Sequence, residues 1–229
     1  MSMPTPSPAK IGVLTFPGSN CEPDCEWAFK KYFGINIIPI WHHERSLPQL
    51  QALIIPGGFS FGDYLRSGHL ASLSPCMEAV KSFADKGGPI LGICNGFQIL
   101  TESGLLPGTL LPNLSKRFVC KPVELSLGTE GSNIYQSLLG KNSRLRLPVA
   151  HGEGRYYIDK DGLKNLQDQG QIVFKYCDNP NGSVKDIAGI CSRSGKILGL
   201  MPHPERACDD LLKGADGIKV FKAFLASFL

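Results

Sequence analysis

The segment Pro89-Ile-Leu-Gly-Ile-Cys-Asn-Gly-Phe-Gln98 constrains this chain more than any other stretch. A short apolar run over residues 89–93 ends in Gly-x-Cys-x-Gly, and a helix-like stretch follows from Phe97 to about Glu102. Strand, sharp turn and helix, with a nucleophile at the apex, is the architecture of a nucleophile elbow. Gly92 and Gly96 carry no side chain to crowd the turn, so the backbone can bend tightly and expose Cys94. A helix N-terminus beside the sulfur favours thiolate over thiol.

The surrounding pattern predicts an α/β fold. Residues 11–16 read as a buried strand, and residues 17–20 as a turn offering an N-cap. A helix runs from there to about Phe33 and stops at Gly34. Residues 35–41 and 52–55 read as further strands. Met77, Val80, Phe83 and Ala84 mark a helix over residues 75–86, closed by Gly87-Gly88. Apolar strands without polar alternation fit a parallel sheet covered on both faces. The second half is richer in strand signals, at residues 118–127, 144–150, 171–176, 187–191 and 196–201, before a closing helix with Ile218, Phe221, Phe224, Leu225 and Phe228 on its apolar face. The expected architecture is a doubly wound, mostly parallel, flavodoxin-like sheet with an added antiparallel β region. Residues 1–9 are expected to be a disordered tail and residues 10–229 one domain.

Composition excludes several classes. The net charge is +4 over 229 residues, and Lys and Arg are scattered, which gives no case for nucleic acid. No run of 18 apolar residues suggests a membrane span. The first ten residues are Pro- and Ser-rich without an apolar centre, so no signal peptide is expected and the eight cysteines read as free thiols of a cytoplasmic protein. Cys21 and Cys25 lack a second ligand pair at zinc spacing, so no metal is expected and they read as one face of the first helix. His42-His43-Glu44 reads as a solvated loop. There is no Gly-x4-Gly-Lys-[Ser/Thr], and Gly152-Glu-Gly154 lacks a third glycine, so no nucleotide site is expected on this chain.

A hundred residues beyond the elbow lies Met201-Pro-His-Pro-Glu205. The two prolines favour extended backbone, in which residues i and i+2 point the same way. Glu205 can then lie beside the His203 imidazole and set its tautomer. Gly57-Gly58, Cys94 and His203 each follow a predicted strand directly, so all are expected beyond the carboxyl ends of a parallel sheet.

Taken together, Gly92-Ile-Cys-Asn-Gly-Phe-Gln98 and Met201-Pro-His-Pro-Glu-Arg206 resemble the class I, triad glutamine amidotransferases. With Pro56-Gly-Gly-Phe-Ser-Phe-Gly-Asp-Tyr-Leu-Arg66 and Ala150-His-Gly-Glu-Gly154 in order, the resemblance narrows to the glutaminase subunits of phosphoribosylformylglycinamidine synthases, over nearly the whole chain from about Lys10. It implies a triad of Cys94, His203 and Glu205 that releases ammonia from glutamine through a cysteine thioester. Backbone N–H groups around Gly58 and Asn95 are the expected oxyanion donors. Gly57, Gln98 and His151 are expected at the substrate, His151 largely through backbone. The resemblance also implies a large ATP-dependent synthetase as partner, which would hold the ATP and Mg that this chain lacks, with a small accessory subunit in some organisms. A glutaminase serving another synthetase and an elbow-cysteine hydrolase are the alternatives.

Overall fold

The computed structural model describes residues 9–140, 142–209, 211 and 214–228. The expected tail at residues 1–9 lies outside these apart from Ala9. In chain order the elements are β1 (Ile11–Thr15), α1 (Glu22–Phe33), β2 (Ile38–Trp41), β3 (Ala52–Ile55), α2 (His69–Ser72), α3 (Cys76–Asp85), β4 (Ile90–Ile93), α4 (Asn95–Glu102), β5 (Thr109–Leu111) and β6 (Val119–Leu127). Then follow α5 (Ile134–Leu139), β7 (Arg144–His151), β8 (Arg155–Tyr157), α6 (Lys160–Asp168), β9 (Ile172–Tyr176), β10 (Ile187–Cys191), β11 (Ile197–Leu200) and α7 (Asp216–Ala226).

Nine strands form one sheet in the order β2-β1-β3-β4-β11-β10-β9-β6-β7. The half from β2 to β11 is parallel, and the half from β11 to β7 is antiparallel. The antiparallel strands are the added β region expected from the sequence, and they continue the parallel sheet without a break. The hairpin between β10 and β11 returns the chain into the parallel half, so the same sheet carries both kinds of ladder. β5 and β8 pair apart from it.

Local chemistry accounts for the first helix. Glu22 and Asp24 occupy its first turn and Lys30 and Lys31 its last, each favourable to the helix dipole. Gly34 closes it at φ 66°, where its N–H reaches Lys30 O. The N-cap is Cys21, one residue beyond the predicted turn, and its side chain caps nothing. The helix after the elbow starts at Asn95, two residues earlier than expected, because Gly96 is helical rather than part of the turn.

Glycine decides how closely the central layers approach. Gly92 on β4 pairs with Gly199 on β11. A Cβ on Gly92 would stand 2.4 Å from Leu100 Cδ1, and one on Gly199 2.2 Å from Phe97 Cδ2. α4 therefore lies on a floor of two glycines, its Phe97 and Leu100 filling the space that side chains would take. A Cβ on Gly96 would fall 1.9 Å from the Ile55 carbonyl oxygen. At the other end of the chain, α7 packs on α1 through Phe29 and Phe221, with ring centroids 4.8 Å apart.

His42 departs from expectation. It is buried, with its ring against Phe16, Phe61 and His43 rather than in a solvated loop. Burial, and then the His43 charge, push its pKa down. The elements missed in sequence, α5 and α6 among them, are short or polar. Both nonetheless carried a cap signal, since Asn133 accepts from Gln136 N and Asp159 from Gly162 N. No described helix is long and apolar enough to cross a membrane.

Gly217 opens α7, and a Cβ there would lie 1.9 Å from the Pro204 carbonyl oxygen. Gly217→Ala is expected to destabilise the fold by about 2 kcal/mol through overpacking against backbone, lowering Tm by roughly 4–8 °C. Gly34→Ala, with nothing within 4 Å of its new methyl, should show only the left-handed backbone penalty of about 1 kcal/mol. Thermal denaturation of the two variants checks the contrast, and equal melting points would refute it.

Candidate active site

β3, β4 and β11 lie side by side and parallel, so their carboxyl ends share one edge of the sheet. Gly57-Gly58, Cys94 and His203 follow these strands and meet there. Cys94 N donates to Leu200 O at 2.8 Å, which carries the β4–β11 ladder one residue into the elbow. Cys94 itself adopts φ 48°, ψ −103°. Such a backbone costs a non-glycine residue about 1–3 kcal/mol and persists only where its surroundings enforce it. The enforcement is visible. Behind Cys94 is the Leu200 bond, and ahead of it the N–H groups of Phe97 and Gln98 both donate to its carbonyl.

His203 and Glu205 are buried to 2% and 1% exposure, and His203 Nδ1 meets Glu205 Oε1 at 2.6 Å. His203 itself is extended, φ −100° and ψ 93°, but Pro204–Arg206 form a short 3-10 turn, so that turn, rather than the extended backbone expected from the proline spacing, brings Glu205 to the imidazole. Burial opposes charge on the imidazole. Glu205 first, then Cys94 and Cys21, outweigh it and hold the His203 pKa well above the usual range. Nε2, the ring nitrogen not taken by Glu205, is buried and has no hydrogen-bond partner among the described residues. That leaves it free to take a proton. Cys94 Sγ rests 3.8 Å from the Ala150 carbonyl oxygen.

Cys94 opens into a cavity of about 240 Å³ lined by Gly58, Phe59, Asp63, Ser67, Gln98, Phe118 and the residues 150–153. Gly58 has φ 140°, and a Cβ would stand 2.7 Å from Asn20 N. Its pairing with Ser19 is of the type in which the flanking residues bond, through Asn20 N to Gly57 O and Phe59 N to Gly18 O. The Gly58 N–H is thereby left over. Asn95 is the first helical residue of α4, where a backbone N–H has no acceptor within the helix. Its side chain is already engaged, accepting from Ser60 N and donating to Gln98 Oε1. Two backbone N–H groups without an acceptor in their own elements, those of Gly58 beside the cavity and of Asn95 next to Cys94, are therefore available at the elbow.

The other predicted residues divide. Gln98 lines the cavity but is fully committed, donating to Glu153 O at 2.6 Å and accepting from Asn95. It fixes the 151–154 loop to α4. Gly57 does not line the cavity. It backs the His203 ring, and a Cβ would stand 2.8 Å from His203 Cε1. His151 lines the cavity and is buried, its Nδ1 bonded to Asn113 Oδ1. Burial, and then the His203 charge, push its pKa down to about 4, so it is neutral at pH 7.

Sequence reasoning missed Asp63, Glu153 and Cys21. Asp63 and Glu153 face the cavity, joined through Asn95 Nδ2 to Asp63 and Ser67 N to Glu153. Asp63 stands within the Phe-Ser-Phe-Gly-Asp-Tyr string already singled out, and that was its signal. Cys21 has no local signal; only folding brings it beside His203. The ligand atoms of Cys21, His203 and Glu205 lie within 4.8 Å of one another, the kind of cluster that holds a metal. Here Arg206 Nη2 supplies a cation to it, 3.0 Å from Cys21 Sγ.

Comparison with known proteins matches residues 8–216 to the family described as the CobB/CobQ-like glutamine amidotransferase domain. A solved structure of PurLQS from Thermotoga maritima aligns with a TM-score of 0.86 and 39% identity, covering 96% of this chain and 99% of that one. A glutamine amidotransferase from Thermotoga maritima (TM-score 0.60, 18% identity, 97% and 96% covered) shares the fold. So does the glutaminase domain of Trypanosoma brucei CTPS with bound acivicin (0.63, 14%, 96% and 93%).

Asp63 yields a test of the cavity's electrostatics. Burial raises its pKa to about 6, against a lowering hydrogen bond from Ser67 and with a further push from Glu153. The folded state thus binds this proton more tightly than the unfolded chain. The stability tied to it is full below the unfolded value near 4 and is lost as pH rises through about 6. Asp63→Asn should therefore melt above the parent at pH 8 and with it at pH 4. Melting curves at the two pH values decide this, and a variant less stable at pH 8 would refute it.

Proposed function

We infer that this chain, which belongs to the CobB/CobQ-like glutamine amidotransferase family, is the glutaminase subunit of a phosphoribosylformylglycinamidine synthase. The observation that carries the chemistry is Cys94 held at a strained elbow on a cavity, beside a buried His203–Glu205 pair. The Cys94 thiolate attacks the side-chain amide carbon of glutamine, and the carbonyl oxygen becomes an oxyanion facing the N–H groups of Gly58 and Asn95. One such donor is worth about 3 kcal/mol. His203 takes the thiol proton and returns it to the departing ammonia. Water then attacks the γ-glutamyl thioester, with His203 as base, and glutamate leaves. Glu205 keeps the proton on Nδ1, so that Nε2 works in both steps.

The acceptor reaction belongs elsewhere. Converting an amide to an amidine requires an activated acyl oxygen, and we assign that step, with its ATP and Mg, to a large synthetase partner in the cytoplasm. The 39% identity to a chain in the Thermotoga PurLQS structure supports this assignment. Free ammonia would be protonated and lost, so hydrolysis is useful only when the site faces a docked synthetase. The segment bearing Phe61, Gly62, Asp63 and Leu65, all at positive φ, borders the cavity and is suited to shift on docking.

Two outcomes test this reading. In the assembled complex, Cys94→Ala should lower glutamine-dependent synthesis by about a thousandfold or more while ammonium-fed synthesis persists; equal loss of both would overturn the division of labour. Glutamate release by the purified chain should rise when a synthetase carrying nucleotide and acceptor is added. An isolated rate already equal to that of the complex would identify a free-standing glutaminase.

A further inference from the structure

Cys21 is the unexplained group nearest the reacting atoms. It is fully buried at the N-cap of α1, delivered there by the turn that follows β1. It does not line the cavity, so it is no second nucleophile. Burial raises its pKa above the ordinary thiol value, against the lowering influence of nearby His203. It therefore stays a thiol, with its proton toward Asn20 Oδ1 at 3.2 Å and its lone pairs free to accept.

What those lone pairs accept is informative. Arg206 Nη2 donates to Cys21 Sγ at 3.0 Å. The same guanidinium has two carboxylates within reach through Nε, Asp24 at 3.8 Å and Glu205 at 4.0 Å. Glu205 Oε1 is thus claimed from two sides, by His203 Nδ1 at 2.6 Å and by Arg206. Its second oxygen, Oε2, is buried and has no partner among the described residues. An arginine released to chelate that carboxylate would gain two strong bonds and would drain the charge that steadies the imidazolium. Gly57 leaves the gap that brings sulfur and ring together, since a Cβ there would lie 3.0 Å from Cys21 Sγ and 2.8 Å from His203 Cε1.

We propose that Cys21 is a positioning residue that anchors Arg206 away from Glu205, so that the Glu205 carboxylate serves His203 alone. The inference rests on the glutaminase reading above. The groups facing His203 are Glu205 and Arg206 from its own turn, Cys94 from the elbow, Cys21 and Asp24 from the start of α1, and His151 from β7, which is neutral. Among these, Cys21 alone holds the guanidinium with a neutral atom. Removing the anchor should weaken the hold of Glu205 on the imidazolium. The raised His203 pKa then falls, and the imidazolium is lost at lower pH as pH rises.

The test uses Cys21→Ala, Cys21→Ser and Cys21→Ala combined with Arg206→Gln, each checked by thermal denaturation. Two readouts are taken: the pH profile of Cys94 alkylation by iodoacetamide, followed by mass spectrometry of the Cys94 peptide, and kcat and KM for glutamine in the assembled complex. In Cys21→Ala the upper inflection of the alkylation profile should move to lower pH, and kcat should fall about tenfold with KM little changed. Cys21→Ser keeps an acceptor for Arg206 and should lie closer to the parent. Arg206→Gln removes the competitor and should restore both the inflection and part of kcat in the alanine background. Unmoved inflections, or a double variant no better than Cys21→Ala, would overturn the proposal. Should Cys21→Ala fail to fold, the serine variant with and without Arg206→Gln decides by the same two readouts. Alkylation reports on the Cys94–His203 pair without glutamine, so absence of glutaminase activity in the parent would count against the function and leave this inference to be judged by the inflections.

Discussion

The architecture depends on how closely α4 can lie against three parallel strands. The contact is backbone to backbone. Gly96 sits where any Cβ would strike the Ile55 carbonyl, and the paired glycines 92 and 199 leave a trough for Phe97 and Leu100. This approach bends the chain from β4 into α4 within one residue and drives Cys94 into φ 48°. The cost of that backbone is met by bonds on either side of it: Cys94 N donates to Leu200 O, and Phe97 and Gln98 N–H donate to Cys94 O. A looser helix would relax the elbow and let the sulfur retreat from the cavity.

The second constraint is electrostatic. His203 and Glu205 are withdrawn from water almost completely. A buried ion pair is weak evidence for stability, since desolvation offsets much of the attraction. Its use lies in making charge on the imidazole acceptable where burial alone would forbid it. The compensation is local and layered. Glu205 faces Nδ1, Cys94 lies on the cavity side, and Cys21 with Arg206 stands behind. His151, equally buried but without a carboxylate, goes the other way and stays neutral, tied to Asn113. Two histidines in one site thus differ because one has a partner for positive charge and the other has only a neutral acceptor.

The same separation of tasks runs through the cavity wall. Asn95 and Gln98 spend their side chains on each other, on Ser60 and on Glu153, which rigidifies the loops. The Gly58 and Asn95 backbone N–H groups are left without acceptors in their own elements. Preorganised donors stabilise a developing charge only when they need not move to do so, and side-chain amides locked in a network provide that rigidity.

Part of this was legible in the sequence because it is local. Gly-x-Cys-x-Gly after an apolar run favours a tight strand-to-helix turn, and Pro-His-Pro-Glu keeps a base and a carboxylate two residues apart on a stiff segment, although they meet through a 3-10 turn at Pro204–Arg206 and not along extended backbone. The convergence of Gly58, Cys94 and His203 also followed, since each ends a predicted parallel strand and such ends share an edge. Tertiary structure alone decided what depends on pairing between distant segments. It joined the antiparallel strands to the parallel sheet through the β10–β11 hairpin, bonded the His151 ring to Asn113 and buried His42. It also brought Cys21, at the start of α1, against Arg206, 185 residues later in the chain. No periodicity or spacing encodes such a contact, because the pairing energy of two residues far apart in sequence exists only once the sheet between them has formed.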